Sequence, residues 1–211
     1  MYSVIIPTMW KCNRFQQTLR ELSAHELVGE IIVIDNTSND LKVELPKLIH
    51  ILEGKNTYVN PAWNKGAKLA KYDKLLILND DIWMDWKILD VLYNLVTPDI
   101  GIIGLDNIEY NTQPNSSLGL EKTAHRTGGF GCCMFIHKEN YTPIPDEMKI
   151  WCGDDWLFVK CGNKNKLNYI LKGFKIEGEM SLTSDQIGLD SIKQNDLALK
   201  EKYKLIVWYK K

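Results

Sequence analysis

The chain alternates short, nearly continuous apolar runs with segments of helical periodicity. Residues 3–6, 31–34 and 75–78 form such runs, and the apolar side chains of residues 15–22, between the first two runs, recur at helical spacing. Strands without polar alternation are usually buried on both faces, as in a parallel sheet covered by helices on each side. The pattern therefore predicts βαβ units and a three-layer α/β/α sandwich with a Rossmann-like, mostly parallel central sheet.

The size and charge of the chain restrict its class. Its 211 residues suit a single domain, and 45% hydrophobic with 25% charged residues is the composition of a soluble folded protein. The 26 basic and 27 acidic residues nearly cancel, so no overall field would hold nucleic acid or an anionic membrane. No stretch approaches the ~20 apolar residues that span a bilayer. We therefore expect no nucleic-acid partner and no membrane span.

The cysteine content favours a reducing compartment. The five cysteines include no C-x-x-C pair, which disfavours a zinc site or a redox dithiol. Reduced thiols in the cytoplasm are the expected state of such a set.

Weaker signals extend the alternation of strands and helices along the chain. Asn60 before Pro61 is typical of an N-cap with proline at the first helical position, which predicts a helix through Ala70. A second helix is predicted from Asp85, with Leu95 among its buried residues. Further strands are expected at 48–52, 100–105 and 132–137, helices at 154–161 and after residue 190, a last apolar run at 205–209, and a polar loop or lid at 106–127.

Polar side chains follow three of the predicted strands, at the point where each strand ends. Thr8 follows the first, Asp35 the second, and the run Asn79, Asp80 and Asp81 follows the strand at 75–78. Because the carboxyl ends of parallel strands share one edge of the sheet, where ligands bind, we expect these side chains to form one site.

The adjacent carboxylates Asp80 and Asp81 suit a divalent ion. Two neighbouring negative charges repel unless a cation or a donor compensates them, and hard oxygen ligands suit Mg²⁺ or Mn²⁺. Such ions usually complete their shell with substrate phosphates, which favours a nucleoside diphosphate ligand. The alternative interpretation is a polar turn that caps the helix at Asp85.

The ordered motifs SVIIPT, EIIVIDN, NPAWNKGAKLA and KLLILNDDIW resemble the nucleotide-binding half of family-2 glycosyltransferases of the GT-A fold. The resemblance implies that Pro7, Thr8 and Asp35 contact the nucleoside of a nucleotide-sugar donor. It also brings Asn64, in the NPAWNKG helix, near the nucleotide and implies that Asn64 is a donor-binding residue.

The same resemblance places the acidic DxD motif of the family at residues 79–81. Asn79 then stands at the first position of the motif and Asp81 at the last, as the direct metal ligand beside the diphosphate. Asn79 departs from the acidic pattern, so the role of Asp80, as donor-binding residue or otherwise, stays open. The implied cofactor is Mn²⁺ or Mg²⁺.

The downstream motifs GGFGCCMFIHKENY and IWCGDDWLF resemble the acceptor half of the same family. By that resemblance Asp155 is the general base, and Asp154 binds an acceptor hydroxyl or orients its neighbour. Arg126, just before Gly128 and Gly129, is placed to bind the donor diphosphate or to contact the ligands of the metal, and the alternative is that it is an ordinary loop residue. Two acids at a helix start also complement its dipole without any catalytic role.

The resemblance implies a metal-dependent, inverting hexosyl- or deoxyhexosyltransferase that moves a sugar from a UDP-sugar to a hydroxyl of a glycan or glycoprotein. The nucleotide-binding half spans about 1–105 and the acceptor half about 106–211, with further domains expected after residue 211. The alternative is a catalytically weak or inactive sugar-binding domain of the same fold. A nucleotidyltransferase, a dehydrogenase and a P-loop enzyme are disfavoured, because the glycine-rich loops that they need do not follow any predicted strand.

Overall fold

A sheet of eight strands runs through the centre of the computed structural model, which describes residues 1–38, 43–106, 112–114, 117–178, 188–205 and 208–209. In spatial order its strands are β3 (Leu48–Leu52), β2 (Val28–Asp35), β1 (Tyr2–Thr8), β4 (Lys74–Leu78), β9 (Cys133–His137), β6 (Ile100–Gly104), β10 (Leu167–Lys172) and β7 (Gly119–Thr123). Two short pairs join β5 (Ile82–Met84) to β11 (Ile176–Gly178) and β8 (His125–Arg126) to β12 (Trp208–Tyr209). The helices are α1 (Phe15–Ala24), α2 (Val59–Leu69), α3 (Ile88–Leu92), α4 (Gly153–Asn163) and α5 (Asp190–Lys202). None of the helices in these ranges has the length and apolar character needed to cross a membrane.

The direction of the strands decides where the polar residues meet. β3, β2, β1 and β4 are parallel neighbours, β9 runs antiparallel to β4 and β6, and β10 is parallel to β6. Within this sheet β9 and β7 alone oppose the remaining strands. The carboxyl ends of β1, β2, β4 and β6 therefore lie along one edge, where open α/β sheets bind ligands. The predicted mostly parallel sheet is confirmed.

Side chains of the central strands alternate between two cores, one on each face of the sheet. In β1, Val4 and Ile6 join the core that includes residues of α1 and α3, whereas Ile5 joins the core that includes residues of α2 and α4. All three side chains are fully buried. Burial on both faces explains why the strand is continuously apolar, and it confirms the predicted sandwich.

Two of the helix predictions are wrong in detail. α2 begins at Val59, after a cap residue, Tyr58, with a left-handed φ of 69°. The Asn60 side chain is buried and donates to the Trp151 carbonyl at 3.2 Å, so a tertiary contact replaces the predicted cap. α3 ends before Leu95, which is 40% exposed rather than buried because the chain has already turned out of the helix.

The described part of the polar segment at 106–127, predicted as a loop or lid, contains regular secondary structure. Its described residues include the strands β7 and β8. β7 pairs antiparallel with β10 at the edge of the sheet, and Leu120 packs on the core while Glu121 and Lys122 are exposed. A half-exposed edge strand tolerates the polar sequence GLEKT, so its pattern carries little strand signal.

Gly66 lies where α2 comes close to β1 and gives a test of this packing. A Cβ atom at Gly66 would overlap Cγ2 of the fully buried Ile5. We expect Gly66→Ala to lower the free energy of unfolding by about 1–3 kcal/mol through overpacking, as measured by urea denaturation. The matched control is Gly162→Ala in α4, where nothing lies within 4 Å of the new Cβ and helix propensity should raise stability by up to about 1 kcal/mol. Equal effects of the two substitutions would contradict this packing.

Candidate active site

A hydrogen bond joins the ends of the neighbouring strands β1 and β4. The Thr8 hydroxyl donates to Oδ2 of Asp80 at 2.6 Å, and the backbone N–H of Trp10 donates to the Thr8 oxygen at 2.9 Å. Burial raises the pKa of Asp80 above its usual value, although the bond from Thr8 opposes the shift. Asp80 is therefore a carboxylate whose negative charge is only partly compensated by a neutral donor.

Asp35 ends β2, where it pairs in register with Thr8, and is fully buried. The Trp10 indole N–H donates to Oδ2 at 2.6 Å, the Thr37 hydroxyl and N–H donate to Oδ1 at 2.8 and 3.0 Å, and His50 Nε2 lies 2.9 Å from Oδ2. Burial alone would raise the pKa of this carboxyl, but these bonds outweigh it and lower the pKa below its usual value. Asp35 is thus held as a carboxylate in the interior.

The acidic run after β4 leads into a strand rather than into a helix. Asp81 is buried and β5 begins directly after it, so the interpretation of this run as the cap of a helix at Asp85 is not supported. Asp85 itself accepts a hydrogen bond from the Lys87 N–H at 3.0 Å, ahead of α3. Asp81 lies between the end of β4 and the start of β5, at the carboxyl edge of the parallel strands.

The acidic pair at the start of α4 is held by two cations. Arg126 of β8 donates through Nε to Oδ1 of Asp155 and lies 2.8 Å from Oδ2 of Asp154. Lys200 of α5 lies 2.7 Å from Oδ2 of Asp155, whose side chain is 1% exposed. Burial raises the pKa of Asp154, the Arg126 guanidinium opposes this rise, and the charge of Asp155 adds to it.

A single backbone turn at residues 130–132 links the two acidic motifs. The Asn79 N–H donates to the Cys132 carbonyl at 2.9 Å. A Cβ atom at Gly131 would lie 2.9 Å from Oδ2 of Asp154, so this position has no room for a side chain without a shift. The end of β4 and the start of α4 therefore contact the same turn, which connects the motif at residues 79–81 with the acidic pair at the start of α4.

Other residues with predicted site roles lie apart from these contacts. The Asn64 amide donates to the Ile144 carbonyl at 2.7 Å and accepts from the Ile144 N–H and the Tyr141 hydroxyl, both at 2.9 Å. Its polar atoms thus fasten α2 to residues 141–144, which disfavours a direct donor contact. Pro7 is buried within β1, in register with Ile34.

The carboxylate ligands at the sheet edge suit a hard divalent ion whose remaining ligands are substrate phosphates. The residues described here contain no group of three or more His, Cys, Asp or Glu side chains arranged to hold a metal. Mg²⁺ is commonly held by one or two carboxylates plus substrate phosphates, and does not need a complete protein cage. Asp81, beside the incompletely compensated Asp80, fits that pattern.

Four residues whose side chains contact these carboxylates were not predicted from the sequence, namely Trp10, Thr37, His50 and Lys200. His50 interrupts the apolar run LIHIL of the half-buried strand β3, and a polar residue inside an otherwise apolar strand is a signal that points to a partner. Trp10 follows the first motif closely but carries no signal for its bond to Asp35. Lys200 is one of several lysines on α5, and local sequence does not distinguish it from the others.

The pKa of Asp35 gives a pH test of this arrangement. Since the pKa is lowered by folding, the ionised carboxylate stabilises the fold above the usual aspartate value near ~3.9 and loses this effect as the pH falls toward the lowered pKa. We expect Asp35→Asn to lower the free energy of unfolding by about 1–3 kcal/mol at pH 7 and by less at pH 3, as measured by denaturant titration. Asp99→Asn, at a side chain that is 93% exposed, is the control and should have little effect at either pH. A loss from Asp35→Asn that is equal at both pH values would count against this account.

Comparison with solved structures supports the fold. The crystal structure of S. aureus TarS 1-349 has a TM-score of 0.60 at 16% identity and covers 96% of this chain and 72% of that chain. A second S. aureus TarS structure has a TM-score of 0.61 at 16% identity, and the match covers 96% of this chain and 44% of that chain. The TarS 1-349 structure in complex with UDP has a TM-score of 0.59 at 15% identity, and the match covers 84% of this chain and 60% of that chain. Identities this low show the fold alone, which is GT-A-like with a mostly parallel central sheet.

The family follows from the sequence match. Comparison with curated proteins gives no match. Residues 3–138, more than half of the chain, match the profile of Glycosyl transferase family 2, and the matched range includes β1, β2, β4 and the acidic run after β4. The chain therefore belongs to glycosyl transferase family 2.

Proposed function

We propose that this family member is a metal-dependent, inverting glycosyltransferase that moves a hexosyl or deoxyhexosyl group from a nucleotide-diphosphate donor to a hydroxyl of a glycan or glycoprotein. The observation that carries the proposal is the turn at residues 130–132, which contacts both acidic motifs through Asn79 and Asp154. The motif that we assign to the sugar donor and the motif that we assign to the sugar acceptor thus contact the same turn. Family membership supports the reaction class.

The donor nucleoside is assigned to the edge formed by β1 and β2. Pro7 and Thr8 end one strand, and the carboxylate of Asp35 ends the next. Carboxylate oxygens accept from the N–H and O–H groups of a base and ribose, and at Asp35 such a group would take the place of one of the contacts from Trp10, Thr37 or His50. The complex of TarS 1-349 with UDP supports a uridine diphosphate donor.

The diphosphate is assigned to the run at residues 79–81, with Asp81 as the direct metal ligand. Asn79 and Asp80 flank the same ligand as donor-binding residues. A bound Mn²⁺ or Mg²⁺ neutralises the negative charge that develops on a leaving diphosphate. Arg126 is the second positive group assigned to the diphosphate, and a guanidinium matches phosphate oxygens well.

Asp155 is assigned as the general base. As the acceptor oxygen bonds to the anomeric carbon, the bond from that carbon to the phosphate oxygen of the donor breaks, and the acceptor proton passes to the Asp155 carboxylate. Attack on the face opposite the leaving group inverts the anomeric configuration in one step. Asp154, with its raised pKa, binds an acceptor hydroxyl or orients Asp155.

One observation favours the second candidate, a nucleotide-sugar or carbohydrate-binding domain without turnover. Both carboxylate oxygens of Asp155 contact cations, Oδ1 with Arg126 and Oδ2 with Lys200. Such pairing is also what a structural ion-pair network would show. Measurement of turnover separates the two candidates, since both predict donor binding.

The thiols support a cytoplasmic location as part of the proposal. All five cysteines are present as thiols, and four of them are buried. Reducing compartments maintain thiols in this state.

Donor binding is tested by thermal unfolding with UDP, with and without Mn²⁺. A ligand at 100 times its Kd adds about 2.7 kcal/mol to the stability of the native state, so UDP with Mn²⁺ should raise the Tm more than either one alone. Asp81→Ala should abolish the Mn²⁺-dependent part of the shift. The control Asp85→Ala, directly after β5, should keep the Mn²⁺-dependent part of the shift. A full Mn²⁺-dependent shift in Asp81→Ala would sink the metal assignment.

Catalysis is tested by UDP release from UDP-glucose, UDP-galactose and UDP-N-acetylglucosamine. We expect Asp155→Asn to lower kcat by about 10²–10⁴-fold with little change in donor KM, because the amide is a much weaker base at the same position. Asp146→Asn, at an exposed residue of the preceding loop, should keep the wild-type rate. Wild-type kcat in Asp155→Asn would refute the base assignment, and UDP binding without any UDP release by the wild type would favour the binding domain.

A further inference from the structure

α5 lies outside the part of the chain that matches the family profile, yet it contacts the proposed base. The profile covers residues 3–138, whereas α5 spans Asp190–Lys202. Two of its side chains, Asp196 and Lys200, are four residues apart and therefore project from the same face of the helix. Both contact the segment around the start of α4.

Asp196 fastens α5 to the residues that precede α4. Its side chain is fully buried and accepts hydrogen bonds from three successive backbone N–H groups, those of Lys149, Ile150 and Trp151, at 2.9, 2.8 and 3.0 Å. A buried carboxylate is expensive unless donors satisfy it, so these bonds fix the helix against the loop. Residues 149–151 lead directly to the acidic pair at the start of α4.

An aromatic contact also holds α5 against α4, at the residue that follows the C-terminal end of α5. Tyr203, just after α5, packs edge to face on Trp156, with ring centroids 5.3 Å apart. Trp156 follows Asp155 in the chain, and its indole N–H donates to the Thr142 carbonyl at 3.1 Å. α5 is thus held on both sides of Lys200, at Asp196 and at Tyr203.

Lys200 contacts one oxygen of the proposed base and leaves the other to Arg126. Its Nζ lies 2.7 Å from Oδ2 of Asp155, with side chains 18% and 1% exposed. Arg126, which contacts Oδ1, is also assigned to the donor diphosphate. An arginine that turns toward a diphosphate releases Oδ1, and Lys200 then holds the carboxylate through Oδ2.

We propose that Lys200 is a positioning residue for Asp155, and that α5 is part of the catalytic apparatus. This inference rests on the proposed function. Lys200 holds Oδ2 so that Oδ1 is directed to the acceptor hydroxyl, and it remains as the countercharge of the base when Arg126 engages the donor. Asp196 supplies the rigid attachment that keeps Lys200 in place.

A purely structural ion pair would behave differently from a positioning residue. Loss of a structural pair lowers the melting temperature and weakens donor binding and turnover together. Loss of a positioning residue lowers kcat while the donor KM stays near the wild-type value, since the donor contacts are untouched.

The test compares Lys200→Met, Lys200→Arg and the control Lys202→Met by UDP release from whichever of the three UDP-sugars the wild type uses. Lys202 lies on the same helix, is 64% exposed and sits 3.8 Å from Glu147. We expect Lys200→Met to lower kcat about tenfold to a hundredfold with donor KM within about twofold, as misplacement of a catalytic group does. Lys200→Arg should recover kcat to within about threefold, and Lys202→Met should match the wild type.

Several outcomes would overturn the inference. Wild-type kcat in Lys200→Met would do so, as would a loss that Lys200→Arg does not recover and that comes with a lower Tm and a weaker UDP-induced shift. Should Lys200→Met not fold, Lys200→Gln provides the same comparison. If Asp155→Asn loses kcat while Lys200→Met keeps the full kcat, only the role of α5 is refuted and the proposed function stands. If the wild type releases no UDP, the proposed function and this inference are both refuted.

Discussion

Burial of negative charge is the constraint on which the site depends. A carboxylate removed from water is strongly unfavourable unless donors or cations compensate it. Asp35, Asp155 and Asp196 are all essentially buried in this chain, and each has a different kind of partner. The elements that supply those partners come from separate parts of the sequence, so the need to compensate each charge ties these parts together.

The kind of partner decides what each carboxylate can do. Asp80 accepts from the Thr8 hydroxyl, and Asp35 accepts from the Trp10 indole and from Thr37 and also contacts His50. Asp154 and Asp155 are met by Arg126 and Lys200, so the start of α4 is close to neutral. The carboxylates at the edge of β1, β2 and β4 suit the proposed cation and its anionic ligand, and the acidic pair of α4 suits the proposed acceptor hydroxyl.

The elements that the sequence predicts well are the strands that are buried on both faces of the sheet. The strands β1, β2 and β4 are buried on both faces, and their apolar runs appear plainly in the sequence. β7 lies at an edge with polar residues facing outward, so the same rule misses it. Asn60 has the sequence of a helix cap, but its side chain bonds to Trp151, a residue far along the chain, and that contact outcompetes the local one.

By itself the sequence determined the α/β class, the order of the central strands' motifs and the position of the acidic residues at strand and helix ends, because hydrophobic periodicity is a local property. Tertiary structure alone decided which groups satisfy each carboxylate. Thr8 meets Asp80 across 72 residues, Trp10 meets Asp35 across 25, and Lys200 meets Asp155 across 45. Such pairings arise from strand order and helix docking, and short-range patterns do not encode them.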